Sequence, residues 1–179
     1  MTTSRWNLDL THSGIHFSVR HMVIAKVRGR FSDWRGTLEL DPNDLSKTKV
    51  EVEIDIASID TGVADRDGHL RSADFFDAET YPKARFVGER MEAVGDDWKL
   101  HGQLTVRDVT RDVALDVEYL GSSKDPWGNT RAAFGAKVSI DRTDYGLKWN
   151  QALEAGGVLV GERVDLEIEI QAVATGEAA

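Results

Sequence analysis

The chain has 179 residues, a length suited to one domain, and its 41% hydrophobic and 30% charged content is that of a polypeptide able to bury a core. The balance of 22 Lys and Arg against 31 Asp and Glu leaves a net charge of −9; no basic run relieves it, so nucleic acid is not an expected partner. The absence of Cys removes disulfides, thiolate metal sites and Cys nucleophiles together.

The N-terminal MTTSRWNLDL lacks a basic stretch followed by an apolar one, and no apolar window reaches membrane-spanning length. A cytoplasmic protein without a signal peptide or transmembrane segment is therefore expected. Period-two alternation then runs through the chain, which puts every second side chain on one face of a strand. Strands are predicted near 6–10, 14–22, 26–33, 35–41 and 48–59, the last carrying Val50, Val52, Ile54 and Ile56 against Glu51, Glu53 and Asp55. The segment 62–77, GVADRDGHLRSADFFD, is the one convincing departure. There Asp65 or Asp67 is expected to cap a helical turn that carries Leu70, Ala73 and Phe76 along one side.

Further strands are predicted near 83–93, 98–107, 112–120, 131–141 and 158–173, with turns at Asp41-Pro42, Gly95-Asp96, Asp125-Pro126 and Gly156-Gly157, and with residues 174–179 fraying as a tail. One apolar and one carboxylate-rich face per strand is an antiparallel pattern, since strands of a parallel sheet are covered on both sides. A single all-β domain over 1–179 follows, either a sandwich or an up-and-down barrel.

No nucleophile elbow, phosphate loop, dinucleotide fingerprint or H-E-x-x-H motif is present. His12 and His16 would chelate on a helix, but on a strand four residues span roughly 13 Å, too far to share a zinc. No metal site is expected. His21 shares the apolar phase of Phe17 and Val19, so it is either satisfied by a neighbour or placed to meet a ligand. Arg66 and His69 form a polar lip or a capping cluster, and Phe75 and Phe76 either plug a barrel end or line a pocket. Trp149 sits in the stretch DRTDYGLKWN, where Asp141 and Asp144 are expected to pair with Arg142 or Lys148; surface ion pairs of that kind stabilise by only about 0–1 kcal/mol and receive no functional weight.

Seven segments in order carry a resemblance: WNLDLTHSGIHFSVRHM from Trp6, VRGRFSDWRGTLEL from Val27, ASIDTG from Ala57, RDGHLRSADFFD from Arg66, YPKARF from Tyr81, GQLTVRDVTRDVALDV from Gly102 and RTDYGLKWN from Arg142. Together they resemble the YceI-like, polyisoprenoid-binding family. The resemblance implies an extended antiparallel up-and-down β-barrel of about eight strands, lipocalin-like, with one short helical lid. It also implies an elongated cavity for an isoprenoid quinone or a polyprenyl phosphate. This chain departs from the family at Asp108 and Asp112, where Gly and Pro are usual; the hairpin is expected to survive, its turn type open.

The expected function is non-enzymatic carriage of a long apolar lipid, with no cofactor other than that ligand and with a homodimer as one possible assembly. Expected lining residues are Phe17, Val19, Phe31, Leu38, Val52, Ile54, Ile56, Phe86, Leu104, Val106, Val138 and Ile140, with Phe75 and Phe76 gating and His21, Arg66 and His69 as polar contacts. The competing expectation is a barrel packed solid, without a cavity, that serves as a protein-interaction module.

Overall fold

The computed structural model describes residues 3–154 and 156–178, the last three by their backbone alone. Eleven strands fall in chain order: β1 Ser4–Leu8, β2 Gly14–His21, β3 Ala25–Phe31, β4 Trp34–Leu40, β5 Lys49–Asp55, β6 Ile59–Asp60, β7 Lys83–Val94, β8 Asp97–Val106, β9 Val109–Lys124, β10 Thr130–Asp141 and β11 Val160–Ala178. The one α-helix among the described residues, α1, spans Ala64–Arg71.

All pairings are antiparallel, and the ladder β1-β4-β5-β7-β8-β9-β10-β11 closes where β11 returns to β1. This is an eight-stranded closed barrel. The remaining three strands are continuations: β2 extends β1 along β11, β3 extends β4 backwards along β2, and β6 extends β5 along β3. The sequence pattern read 48–59 as one strand; a 3-10 turn at Ile56–Ser58 divides it, capped by Asp55, whose side chain accepts from the Ala57 amide. The paired registers Trp34–Ile54 and Phe31–Ile59 set this bend beside the Ser32-Asp33 break, so neighbouring strands turn at the same level.

Three expectations are corrected. Residues 174–178 do not fray: Trp6 pairs with Ala174 and Ser4 with Ala178, so this stretch supplies the seam that closes the barrel. Ala179 lies outside the described residues. Neither Asp65 nor Asp67 caps α1, which starts after Val63 without a side-chain cap. Asp67 is buried instead, and its carboxylate accepts from the amide and hydroxyl of Thr61, tying the helix back to the end of β6. The helix ends at Arg71, so Ala73 is exposed while Leu70 and Phe76 turn inward.

The hairpin at the family departure is intact. Val106 pairs with Val109 across a two-residue loop, Arg107-Asp108, with both φ angles positive, the type I′ geometry favoured between twisted strands. Asp112 lies within β9 and accepts a bond from Gln103 across the ladder. Inside the barrel, buried side chains fall into two groups along its length. Trp6, Leu40, Met91 and Leu100 belong to one, and Ile15, Phe31, Ile56 and Tyr145 to the other.

Candidate functional site

The barrel is hollow. A cavity of about 240 Å³ occupies the end covered by α1, and a second of about 140 Å³ continues towards the opposite end. Ile15, Ile54, Leu104 and Leu166 belong to the walls of both and form an aliphatic waist between them. Cavity-free packing is therefore not what these strands adopt. The closed meander of long strands leaves alternate aliphatic side chains short of the axis.

Each expected lining residue borders one of the two spaces. Phe17, Val19, His21, Phe31, Ile54, Ile56, Arg66, His69, Phe75, Phe76, Leu104, Val106 and Ile140 face the larger cavity. Leu38, Val52 and Phe86 line the smaller one together with Val138, and Ile54 and Leu104 reach it from the waist. The inward phase read from alternation puts them there, because the pleat sends every second side chain to the same side. Phe75 is buried against Trp149, with ring centroids 5.4 Å apart, whereas Phe76 meets Phe31 edge-on at 6.0 Å. The two adjacent aromatics thus occupy different walls.

Charged groups of the cavity walls collect at one end. Around the smaller cavity Thr48 is the sole polar side chain among the described residues; around the larger one are Arg20, His21, Arg66, His69, Arg142 and Tyr145. His69 Nε2 lies 2.9 Å from Asp74 Oδ2, and the imidazole is held edge-on to Trp149 and Phe75 at 4.7 and 5.1 Å. Arg66 donates from Nε to the Thr61 hydroxyl and from Nη2 to the Thr61 carbonyl. Thr61 is also the residue that Asp67 accepts from, so one threonine orients both charges.

Arg142 overturns its sequence reading. It is buried, and among the described residues no carboxylate lies within ion-pair distance of it. Its guanidinium donates to four backbone carbonyls, at Gly161 (2.8 Å), Leu147 (2.6 Å), Trp149 (3.1 Å) and Val160 (3.2 Å). The planar fork suits this task, having five N–H groups of which these bonds occupy four. Burial pushes its pKa down, against the attraction of Glu162 and Asp141. The guanidinium also stands 5.7 Å from the Phe75 ring centroid. Tyr145 is buried beside it, and desolvation, with the Asp144 charge adding to it, pushes the phenol up to about 12.

Sequence reasoning missed Tyr145, Leu147 and Trp149, whose recurrence at every second position is the signal that could have found them. All three line the larger cavity, as do Ile59, Leu70 and Ala84. The histidines disperse: His12 sits 2.7 Å from Asp9 at the surface, His16 is exposed, and His21 is half-buried at the cavity. Among the described residues no three His, Asp or Glu side chains converge as a metal set. No helix of the described residues is long and apolar enough to cross a membrane.

Comparison with known proteins agrees with this architecture. Residues 6–172 match the YceI-like domain model. A UPF0312 protein of Staphylococcus epidermidis is 38% identical over 165 residues, covering 92% of this chain and 94% of that protein. Protein YceI of Escherichia coli is 35% identical over 162 residues, covering 90% of this chain and 82% of its own length. Among solved structures, Burkholderia cenocepacia BcnA superposes with a TM-score of 0.81 at 21% identity, over 92% of this chain and 99% of BcnA. A polyisoprenoid binding domain from Saccharophagus degradans, implicated in plant cell wall breakdown, gives 0.69 at 20% identity over 94% and 98% of the two chains. At such identities these two structures speak for the fold alone. The family match and the curated relatives carry the assignment: this chain belongs to the YceI-like domain family.

Proposed function

We propose that the protein is a non-enzymatic carrier of a long apolar lipid, of the isoprenoid class, held along the barrel axis with its head group at the α1 end. The observation that carries this reading is the pair of aliphatic cavities meeting at the Ile15, Ile54, Leu104 and Leu166 waist, with every charged side chain of their walls at the larger one and Thr48 the single polar side chain at the smaller. Such a space suits a linear chain better than a compact ligand. The polyisoprenoid-binding name of the Saccharophagus degradans domain supports the choice of chain.

The driving force is transfer of the chain out of water, roughly 0.8 kcal/mol per buried CH₂, or about 4 kcal/mol at most for each five-carbon unit before the costs of association. Orientation comes from the polar end. Arg142 carries a charge that no carboxylate within 4 Å neutralises and has one N–H beyond its four carbonyl bonds, so it favours an electron-rich group such as a quinone carbonyl or a phosphate. Arg66 and His69 border the same space. Nothing in the reading requires a bond to be made or broken, and its named residues act only by burying and orienting.

The test is extraction. Protein purified from a lipid-containing host, and again after incubation with isoprenoid quinones or polyprenyl phosphates, is treated with organic solvent and the extract is read by mass spectrometry. An isoprenoid at near-stoichiometric yield is expected in at least one preparation. A blank extract from all of them, or occupancy by fatty acids only, overturns the proposal.

A further inference from the structure

The tip joining β2 to β3 is made of residues that serve neither the turn nor the core. Met22, Val23 and Ile24 are 53%, 54% and 84% exposed. Met22 and Val23 both have positive φ, at 52° and 70°, a conformation that Asn and Gly adopt readily and a β-branched side chain adopts only under strain. A turn selected for folding would carry small polar residues here. This one keeps three large apolar side chains in water.

The tip is fixed rather than loose. The Met22 amide donates to the Leu159 carbonyl at 2.8 Å, and the Ile24 amide to Met22 at 2.8 Å. Val23 packs so closely on Gly157 that a Cβ there would come within 2.7 Å of its Cγ2. Val158, exposed in the same segment, extends the apolar patch. The flanking residues Val19, Arg20, His21, Leu159 and Val160 line the larger cavity, so the patch stands at one of its rims.

Three cations stand around the same tip, with one acid of the neighbouring strand, Asp165, in register with Ser18 and near enough to feel the Lys26 charge. Arg20, which also borders the cavity rim, pairs in register with Lys26, and Ser18 with Arg28, which gathers three exposed cations on one face of this hairpin. None of the three has an ion-pair partner within 4 Å among the described residues, although the whole chain carries −9. The basic patch absent as a run in the sequence is assembled by strand register.

We propose that the Met22–Ile24 tip docks the protein on an anionic lipid bilayer, the three apolar side chains entering the boundary between head groups and acyl chains while Arg20, Lys26 and Arg28 meet the acidic head groups. Apolar residues ringed by cations match that boundary layer. Three side chains and a short neighbouring segment are small beside the 1,000 Å² or more that a specific protein interface needs. Repulsion between the remaining acidic surface and the same bilayer restricts docking to the orientation in which the cavity rim faces the lipid. The purpose extends the carrier reading, but the docking itself needs no ligand in the barrel.

The experiment is flotation of the full chain with vesicles of phosphatidylcholine alone or with phosphatidylglycerol as a third of the lipid, neither containing isoprenoid. The wild type is expected to float with the anionic vesicles, at least tenfold over the neutral ones, and to be released by high salt. The triple variant Met22→Asn/Val23→Gly/Ile24→Ser suits the positive-φ turn, so its melting temperature should stay level or rise while flotation falls at least tenfold. Lys26→Glu/Arg28→Glu should abolish the preference for anionic vesicles. Tryptophan emission of Ile24→Trp should shift to the blue when anionic vesicles are added. Equal or absent flotation with both vesicle kinds overturns the proposal, as does a triple variant that floats like the wild type or a tip-dependent dimer without vesicle binding. Flotation with a blank lipid extract would sink the carrier reading alone, and an isoprenoid-loaded barrel that ignores vesicles would sink docking alone.

Discussion

Replacing Ile54 by aspartate puts the architecture of the waist under a quantitative test. Ile54 borders both cavities and lies in register between Trp34 and Ala84, which are 5% and 4% exposed. A carboxylate there must either remain charged among aliphatic walls or take up a proton. Protonation sets the ceiling: holding a group of ordinary pKa about 3.9 neutral near pH 7 costs about 4 kcal/mol, at 1.36 kcal/mol per unit. Loss of the half-buried aliphatic side chain adds roughly 1–2 kcal/mol. The total of about 5–6 kcal/mol is comparable with the whole stability of a small domain, about 5–15 kcal/mol. The protonation part must shrink by about 1.4 kcal/mol for each pH unit on acidification, so roughly 3 kcal/mol returns between pH 7 and pH 5. Urea denaturation of wild type and Ile54→Asp, followed by fluorescence of the five tryptophans, measures this directly, with Ile54→Asn as the pH-independent control. A pH-independent loss below about 1 kcal/mol would place this side chain outside the barrel and refute the inward phase of β5.

Three further outcomes are expected. The Asp9 carboxyl is held at about 2, from an ordinary 3.8, first by the Arg131 guanidinium and then by His12. A lowered folded-state value contributes stability that is present above about pH 4 and lost as pH falls from there through about 2, so Arg131→Met should lower stability near neutrality and flatten the acid limb of the stability curve. An unchanged limb would mean that the Asp9–Arg131–Asp125 bridge does not link the β1–β2 bend to β10. The Tyr145 phenol, raised to about 12 chiefly by burial, contributes stability that is full below about pH 10 and lost as pH climbs through 12; Tyr145→Phe should delete a component of phenolate absorbance that titrates near pH 12. Arg142→Lys keeps a charge but not the planar fork, and its three N–H donors leave at least one of the four carbonyls without a partner; roughly 1–3 kcal/mol of destabilisation is expected in chemical denaturation, and a neutral result would show that the fork is dispensable.

Period-two alternation was enough to name the inward face of most strands, because alternation is a property of the pleat and survives whatever the strand pairs with. Phe17, Val19, Leu38, Val52, Ile54 and Ile140 were legible for that reason, and so was the antiparallel all-β class. The polar lip was half legible: Arg66 and His69 do border the larger cavity, but Asp67 was misread as a cap, since a cap is a local motif and its real partner, Thr61, lies before the helix.

Closure depended on contacts between residues far apart in the chain. Ala174 and Ala178 carry no periodic signal of their own, and they order because Trp6 and Ser4 sit opposite them. Arg142 reads as surface charge beside Asp141 and Asp144. Only when β11 brings the Val160 and Gly161 carbonyls beside the Leu147 and Trp149 carbonyls does a buried guanidinium become the stable choice. The same holds for the cations of the β2–β3 hairpin, scattered along the chain and collected by register, and for the hollow itself. Side-chain phase is written residue by residue, whereas an enclosed volume belongs to the distance between opposite walls, which the closed ladder alone sets.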